Sequence, residues 1–283
     1  MSRDKTLGSL FAGIGGFDLG FEQAGWRTVW QVEINPTNRL VLADRFPHAR
    51  QFADVRECGR ANLAPVACIT AGFPCQDISV AGGRHRGKRP GLRGERSGLF
   101  HEVVRIAREV QPAWLVLENV PALLHSNDSQ DFETVVRSLA DSGYLGFWRV
   151  FDARYFGVPQ ARRRLFMVAG FGRYPCLDFL ADAAPVEGLP ITGFAGTLDE
   201  AQGRWAGHTL TARNTASRIS LGCEVLIAEA DRWSSMAERS RVSEVYGIRR
   251  GLDACNLAEA FAAGNAVVPA IARWIAEKLL ASQ

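Results

Sequence analysis

Up to about residue 170, the chain alternates short apolar runs with stretches of helical periodicity. Runs at residues 6–11, 28–33, 51–54, 67–71, 114–118, 147–151 and 165–169 read as strands. Helical patterns fall between most of them, for example at 99–110 and 132–142. Alternating strand and helix predicts a doubly wound α/β fold, with a mostly parallel seven-stranded sheet covered by helices on both faces. The last two strands are joined by a loop without clear helical periodicity. That predicts an antiparallel hairpin at one edge.

The texture changes from residue 172 to about 255. Gly, Pro, Ser and Thr become frequent, strands become short and helical periodicity weakens. This reads as a smaller irregular domain inserted into the first. The tail regains α/β character, with a turn at Gly264-Asn265 and a helix from Pro269, since proline suits the first turn of a helix. The expected division is residues 1–171 plus 256–283 for the larger, discontinuous domain and 172–255 for the smaller.

Composition adds limits. At 283 residues, 47% hydrophobic and 22% charged, the chain has material for a sizeable core, and no apolar run approaches a membrane span. The start lacks the features of a signal peptide, so a cytoplasmic location with reduced thiols is expected. The six cysteines include no CxxC pair and the five histidines form no metal-ligand pattern, so no metal is expected. A net charge of +3 is mild, so the distribution of charge must decide whether nucleic acid is a partner.

The candidate chemistry lies at strand ends. Gly72-Phe73-Pro74-Cys75-Gln76 puts a thiol just past a carboxyl strand end, where open α/β sheets bind ligands. A thiolate there would be a nucleophile, although a single cysteine is more often a core residue. The first strand runs into Phe11-Ala12-Gly13-Ile14-Gly15-Gly16-Phe17, a glycine turn suited to close approach of a ligand. It is not the dinucleotide fingerprint, because the sixth position from Gly13 is Asp18. Glu33 and Asp54 follow the second and third strands, where they would serve ribose hydroxyls and an exocyclic amine, or else be solvated loop acids. Glu118-Asn119-Val120 ends the fifth strand at the same mouth as Cys75, with Glu118 either a site group or a loop carboxylate.

These segments, in this order, resemble the DNA (cytosine-5) methyltransferase family over nearly the whole chain. The resemblance rests on Phe11-Ala12-Gly13-Ile14-Gly15-Gly16, Pro74-Cys75-Gln76, Glu118-Asn119-Val120, Gln160-Ala161-Arg162-Arg163-Arg164 and Gly264-Asn265-Ala266-Val267. It implies a Rossmann-like fold dependent on S-adenosyl-L-methionine, acting on duplex DNA as a monomer. Cys75 would attack C6 of a cytosine flipped from the helix, and the methyl would go to C5. Glu118 would hold N3 and the exocyclic amine, Arg164 would contact the base near O2, and Arg162 would support Glu118. Arg163 is extra to the family's spacing.

By the same resemblance, Phe11, Ala12, Gly13, Ile14, Gly16, Glu33, Ile34, Asp54, Val55, Gly72, Pro74, Leu99, Asn265 and Val267 would line the cofactor. The glycine-rich stretch 82–96 holds six basic residues, Arg84, Arg86, Lys88, Arg89, Arg93 and Arg96, and matches a loop that closes over DNA. Taken alone it also reads as a solvated charged loop. DNA contacts would include these and Ser79. The inserted domain matches the target-recognition domain, where Arg213 and Asn214 would read base edges. One departure stands out: residues 245–252 match poorly the stretch that family members carry before the last motif.

Overall fold

All seven apolar runs fold as strands of one sheet. The computed structural model describes residues 5–74, 99–158, 160–176, 207–208 and 266–282. The strands of the main sheet are β1 (Thr6–Leu10), β2 (Arg27–Val32), β3 (Arg50–Phe52), β4 (Cys68–Gly72), β5 (Trp114–Asn119), β6 (Tyr144–Asp152) and β8 (Arg163–Phe171). A second, two-stranded pairing joins β7 (Gln160–Ala161) to β9 (Gly207–His208). The helices are α1 (Gly16–Gln23), α2 (Pro36–Arg45), α3 (Phe100–Val110), α4 (Gln130–Ala140) and α5 (Pro269–Ala281). No helix among the described residues is long and apolar enough to cross a membrane.

The sheet order is β3-β2-β1-β4-β5-β8-β6. Neighbours from β3 to β5 are parallel, and β8 runs antiparallel to both β5 and β6. The chain builds outward from β1 to β3, then returns to the other side of β1 at β4. The crevice between β1 and β4 is therefore the topological switch point, where open α/β sheets bind ligands.

The expected hairpin is antiparallel, but only β6 lies at the edge. The first pass through this end of the sheet leaves a slot beside β5, and β8 fills it. Its residues Leu165 to Gly170 are all buried, which is why they read as an unbroken apolar run. The edge strand β6 instead exposes Leu145, Gly146 and Trp148. Helix α4 begins two residues before its predicted start, because Ser129 adopts a left-handed conformation that turns the chain into Gln130.

Two cores flank the sheet. One packs Val103, Ile106, Ala107, Phe132 and Val135 of α3 and α4 against Ile69, Leu115, Leu117 and Leu165. The other packs Phe17 and Phe21 of α1 and Ile271, Ile275 and Leu279 of α5 against Leu7, Cys68, Val116 and Phe166. Glycines let α5 approach α1. A Cβ on Gly16 would lie 2.1 Å from the Val267 carbonyl oxygen, and one on Gly20 would lie 2.4 Å from that of Pro269. Trp26 Nε1 donates to the Ala276 carbonyl, tying the end of the chain to its beginning. The C-terminal helix expected from Pro269 therefore packs on α1 beside the sheet, although the turn at Gly264-Asn265 lies outside the described residues.

Candidate active site

The glycine turn after β1 is shaped by left-handed backbone at Phe11, Gly13 and Gly15 (φ 53°, 58° and 86°). Gly15 has no room for a side chain, since a Cβ would meet the Phe46 ring at 2.4 Å. Gly13 is the opposite case: among the described residues a Cβ there would meet nothing within 4 Å. Its N–H donates to Glu33 Oε2 at 2.8 Å. Glu33 Oε1 accepts from the Asn35 N–H at 2.8 Å. Burial pushes the Glu33 carboxyl above its ordinary value, against the pull of those two amides. Ile34, the next residue, is 65% exposed.

Asp54 caps a 3-10 turn, Val55–Glu57, by accepting the Arg56 N–H at 3.0 Å. It also pairs with the Arg56 guanidinium at 2.7 Å, which holds its carboxyl below the usual range. Val55 is buried in the core between the sheet and α3. Leu99 precedes α3 and packs against the same core.

The other wall stands at the end of β5. Strand register sets Glu118 opposite Gly72 on one side and Phe166 on the other. Arg164 lies two residues before Phe166, so alternation puts it on the same sheet face as Glu118. Its Nε is 3.0 Å from Glu118 Oε1. The contact is ionic without good hydrogen-bond alignment: buried Oε1 accepts no hydrogen bond among the described residues. Glu118 Oε2 lies 3.5 Å from where a Cβ on Gly72 would sit, with Val267 at 3.9 Å, so Gly72, Glu118 and Val267 border one corner.

Arg162, expected to support Glu118, is 1% exposed, and its carbonyl accepts the Ala153 N–H. Arg164, expected at the base, itself reaches Glu118. Arg163 is exposed. Register pairs Ala161 with His208, which brings the start of the predicted recognition stretch 208–214 beside the strand leading to Arg162.

The described residues thus bring together Phe11 to Gly16, Glu33, Ile34, Gly72, Glu118, Arg164 and Val267 around the switch-point crevice, with Asp54 and Val55 beyond β2. Pro74 is the last described residue before the gap. Cys75, Ser79, Arg84, Arg86, Lys88, Arg89, Arg93, Arg96, Arg213, Asn214 and Asn265 lie outside the described residues, as does nearly all of 172–255. The turn at Gly13, the two acids at adjacent strand ends and the exposed apolar Ile34 fit a nucleoside-bearing cofactor.

Sequence reading passed over three features. Asn119 donates from Nδ2 to the Phe73 carbonyl at 3.2 Å and accepts the Val120 N–H at Oδ1, bracing the segment that leads to Cys75. Asp18 is fully buried beside Ser9 and Gln31, and burial pushes its carboxyl up to about 6. Ser9 and Gln31 favour the charged form, yet among the described residues neither Asp18 oxygen accepts a well-aligned hydrogen bond. Arg105 binds the loop after β3. Its only signal was the spacing Glu102, Arg105, Glu109, which also describes an ordinary solvated helix face.

The family model described as C-5 cytosine-specific DNA methylase matches residues 6–174. The Type II methyltransferase M2.BsuMI of Bacillus subtilis (strain 168) is 36% identical over 171 residues, 59% of this chain and 42% of that protein. The Type II methyltransferase M.MspI of Moraxella sp is 36% identical over 169 residues, 59% of this chain and 39% of that protein. The matched stretch thus spans less than half the length of these relatives. Among solved structures, a mutant of Spodoptera frugiperda DNMT2 covers 98% of this chain and 100% of its own, with a TM-score of 0.64 and 14% identity. The Dnmt2 methyltransferase of S. pombe gives 0.62 and 15%, with 98% of each chain covered. These two likenesses show the fold. The match over most of the α/β unit shows the family: the chain belongs to the C-5 cytosine-specific DNA methylases.

Proposed function

We propose that the protein methylates C5 of a cytosine flipped out of a short specific sequence in duplex DNA, using S-adenosyl-L-methionine and a transient bond from Cys75 to C6. The observation that carries this reading is the Glu118–Arg164 pair beside Gly72, which precedes Cys75 by three residues in the sequence. When bound, the cofactor supplies an electrophilic methyl on a sulfonium centre. Gly13, Glu33, Ile34, Asp54, Val55 and Val267 would hold it, Glu33 towards the ribose hydroxyls and Asp54 towards the exocyclic amine.

Cys75 Sγ, as thiolate, forms a bond to C6, and the C5–C6 π electrons move to C5. Glu118 accepts from the exocyclic amine and shares a proton with N3, which draws electron density into the ring and favours the attack. Arg164 neutralises Glu118 and contacts the base near O2, and Arg162 holds the wall from behind. The electron pair on C5 would take the methyl, whose bond to the sulfonium sulfur would break to leave S-adenosyl-L-homocysteine; the C5 proton then goes to solvent, the C5–C6 double bond re-forms and Cys75 departs as thiolate. A stacked, paired cytosine hides C6, so flipping precedes the bond. The basic stretch 82–96 would cover the flipped base, and residues 172–255 would choose the sequence.

The test is incubation with methyl-labelled cofactor and mixed-sequence duplex DNA, followed by mapping of the modified base. Label at cytosine C5 supports the reading. Label at adenine N6 or cytosine N4 contradicts it. Preferential methylation of tRNA in direct competition would replace DNA as the substrate.

A further inference from the structure

We propose that Arg105 is a positioning residue for the cofactor site: it fixes the loop carrying Asp54 and Val55 against α3. This rests on the reading of the crevice as the S-adenosyl-L-methionine site.

Arg105 points from the middle of α3 to a loop about 50 residues earlier in the chain. Its Nη2 donates to the Cys58 carbonyl at 2.8 Å and to the Val55 carbonyl at 3.1 Å. Its Nε and Nη2 also bind Glu102 Oε2, at 2.9 and 2.6 Å, and Nη1 binds Glu109 Oε1 at 2.9 Å. Two carboxylates on the same helix, three residues before and four after, thus aim the guanidinium across at the loop. Glu109 grips the loop as well, because its Oε2 accepts the Arg60 N–H at 3.0 Å. A Cβ at Gly59 would lie 2.4 Å from that oxygen, so the glycine permits the close approach.

The carbonyls that Arg105 takes are those of Val55, which opens the 3-10 turn that Asp54 caps, and of Cys58, which follows it. The Cys58 thiol donates to the Asp54 carbonyl at 3.3 Å, closing the same turn. Freeing the Val55 and Cys58 carbonyls therefore loosens the turn that aims the Asp54 carboxylate and the Val55 backbone. The helix that carries Arg105 begins next to Leu99, another residue assigned to the cofactor. One guanidinium thus joins two walls of one site. Lysine has a single ammonium and does not reproduce a fork over three nitrogens.

The test compares Arg105→Gln, Arg105→Lys and Arg108→Gln in the full chain. Arg108 removes the same charge one turn along the helix but binds Ser142, away from the loop. S-adenosyl-L-homocysteine binding is measured by calorimetry, amide exchange is followed at residues 55–63 without ligand, and KM is separated from kcat. For Arg105→Gln the expected result is a Kd raised about tenfold or more, KM for the cofactor raised in parallel and kcat within about twofold. Exchange at 55–63 rises, Arg105→Lys recovers part of the affinity, and Arg108→Gln matches wild type. A wild-type Kd in Arg105→Gln, or an equal loss in Arg108→Gln, overturns the proposal. If Arg105→Gln does not fold, unchanged exchange and Kd in Arg105→Lys overturn it. A wild-type protein that binds no S-adenosyl-L-homocysteine overturns the reading of the site itself.

Discussion

The two walls of the crevice are built differently. At the ends of β2 and β3, each acid is already engaged within the chain. Glu33 takes two backbone amides, and Asp54 takes an amide and the Arg56 guanidinium. At the end of β5, Glu118 meets Arg164 without a well-aligned hydrogen bond and turns its other oxygen to the space beside Gly72. The first wall is fixed by the fold before any ligand arrives. The second holds a charged pair with hydrogen-bonding capacity that no described residue takes up. That division suits a resident nucleoside cofactor on one side and a transient base on the other.

The sharpest way to break the contrast is to neutralise one acid on each side. Glu118→Gln is expected to lower kcat by about 100- to 1000-fold while S-adenosyl-L-homocysteine binding stays within about twofold. Glu33→Gln is expected to do the reverse, raising Kd by about tenfold or more with a smaller effect on kcat. Calorimetry and single-turnover methylation separate the two, and equal effects on both readouts would erase the distinction.

A smaller effect comes from the glycines. Gly16→Ala pushes a methyl into the Val267 backbone and is expected to cost about 1–3 kcal/mol in urea denaturation, because a carbonyl oxygen has no flexible end to move. Gly13→Ala meets no described residue and costs only its left-handed backbone, about 1 kcal/mol, yet it places a methyl where the cofactor would lie. Its stability should hold better than that of Gly16→Ala while its affinity falls.

Asp18 offers the smallest and most conditional effect. Its carboxyl holds its proton to about pH 6 in the fold and to 3.8 when unfolded. The folded state therefore binds more protons between those values, and stability falls as pH rises through that window. The penalty is complete above about pH 6 and amounts to at most about 3 kcal/mol. Asp18→Asn should gain stability on wild type between pH 4 and pH 7, measured by urea denaturation. A constant difference across that range would show that Asp18 does not titrate there.

Much of this architecture was legible from periodicity. Six of the seven strands and the helices at 100–110 and 269–281 fall within about two residues of where apolar spacing puts them, and β6 starts three residues before its predicted run. Strand order was not legible, because the run at 165–169 carries no mark of the slot it fills. Its continuous apolarity reported burial on both faces without naming the neighbours. The glycine turn, Glu33 and Glu118 stood out because polar groups at strand ends interrupt an apolar pattern. Arg105 was hidden because its partners Val55 and Cys58 offer carbonyls, which leave no trace in side-chain identity. Asp18 was hidden because its helix, turned to face Ser9 and Gln31, buries a polar residue within an otherwise apolar face.

The central claim is a bond between Cys75 and the base. Duplex DNA in which the target cytosine carries fluorine at C5 blocks loss of the C5 substituent after methyl transfer. Incubated with S-adenosyl-L-methionine, the wild-type protein should form a denaturation-resistant complex whose mass is protein plus DNA plus one methyl, with the link mapped to Cys75. Cys75→Ser should form none. Methylation of unmodified DNA without any trapped complex, or a complex that persists in Cys75→Ser, would contradict the account.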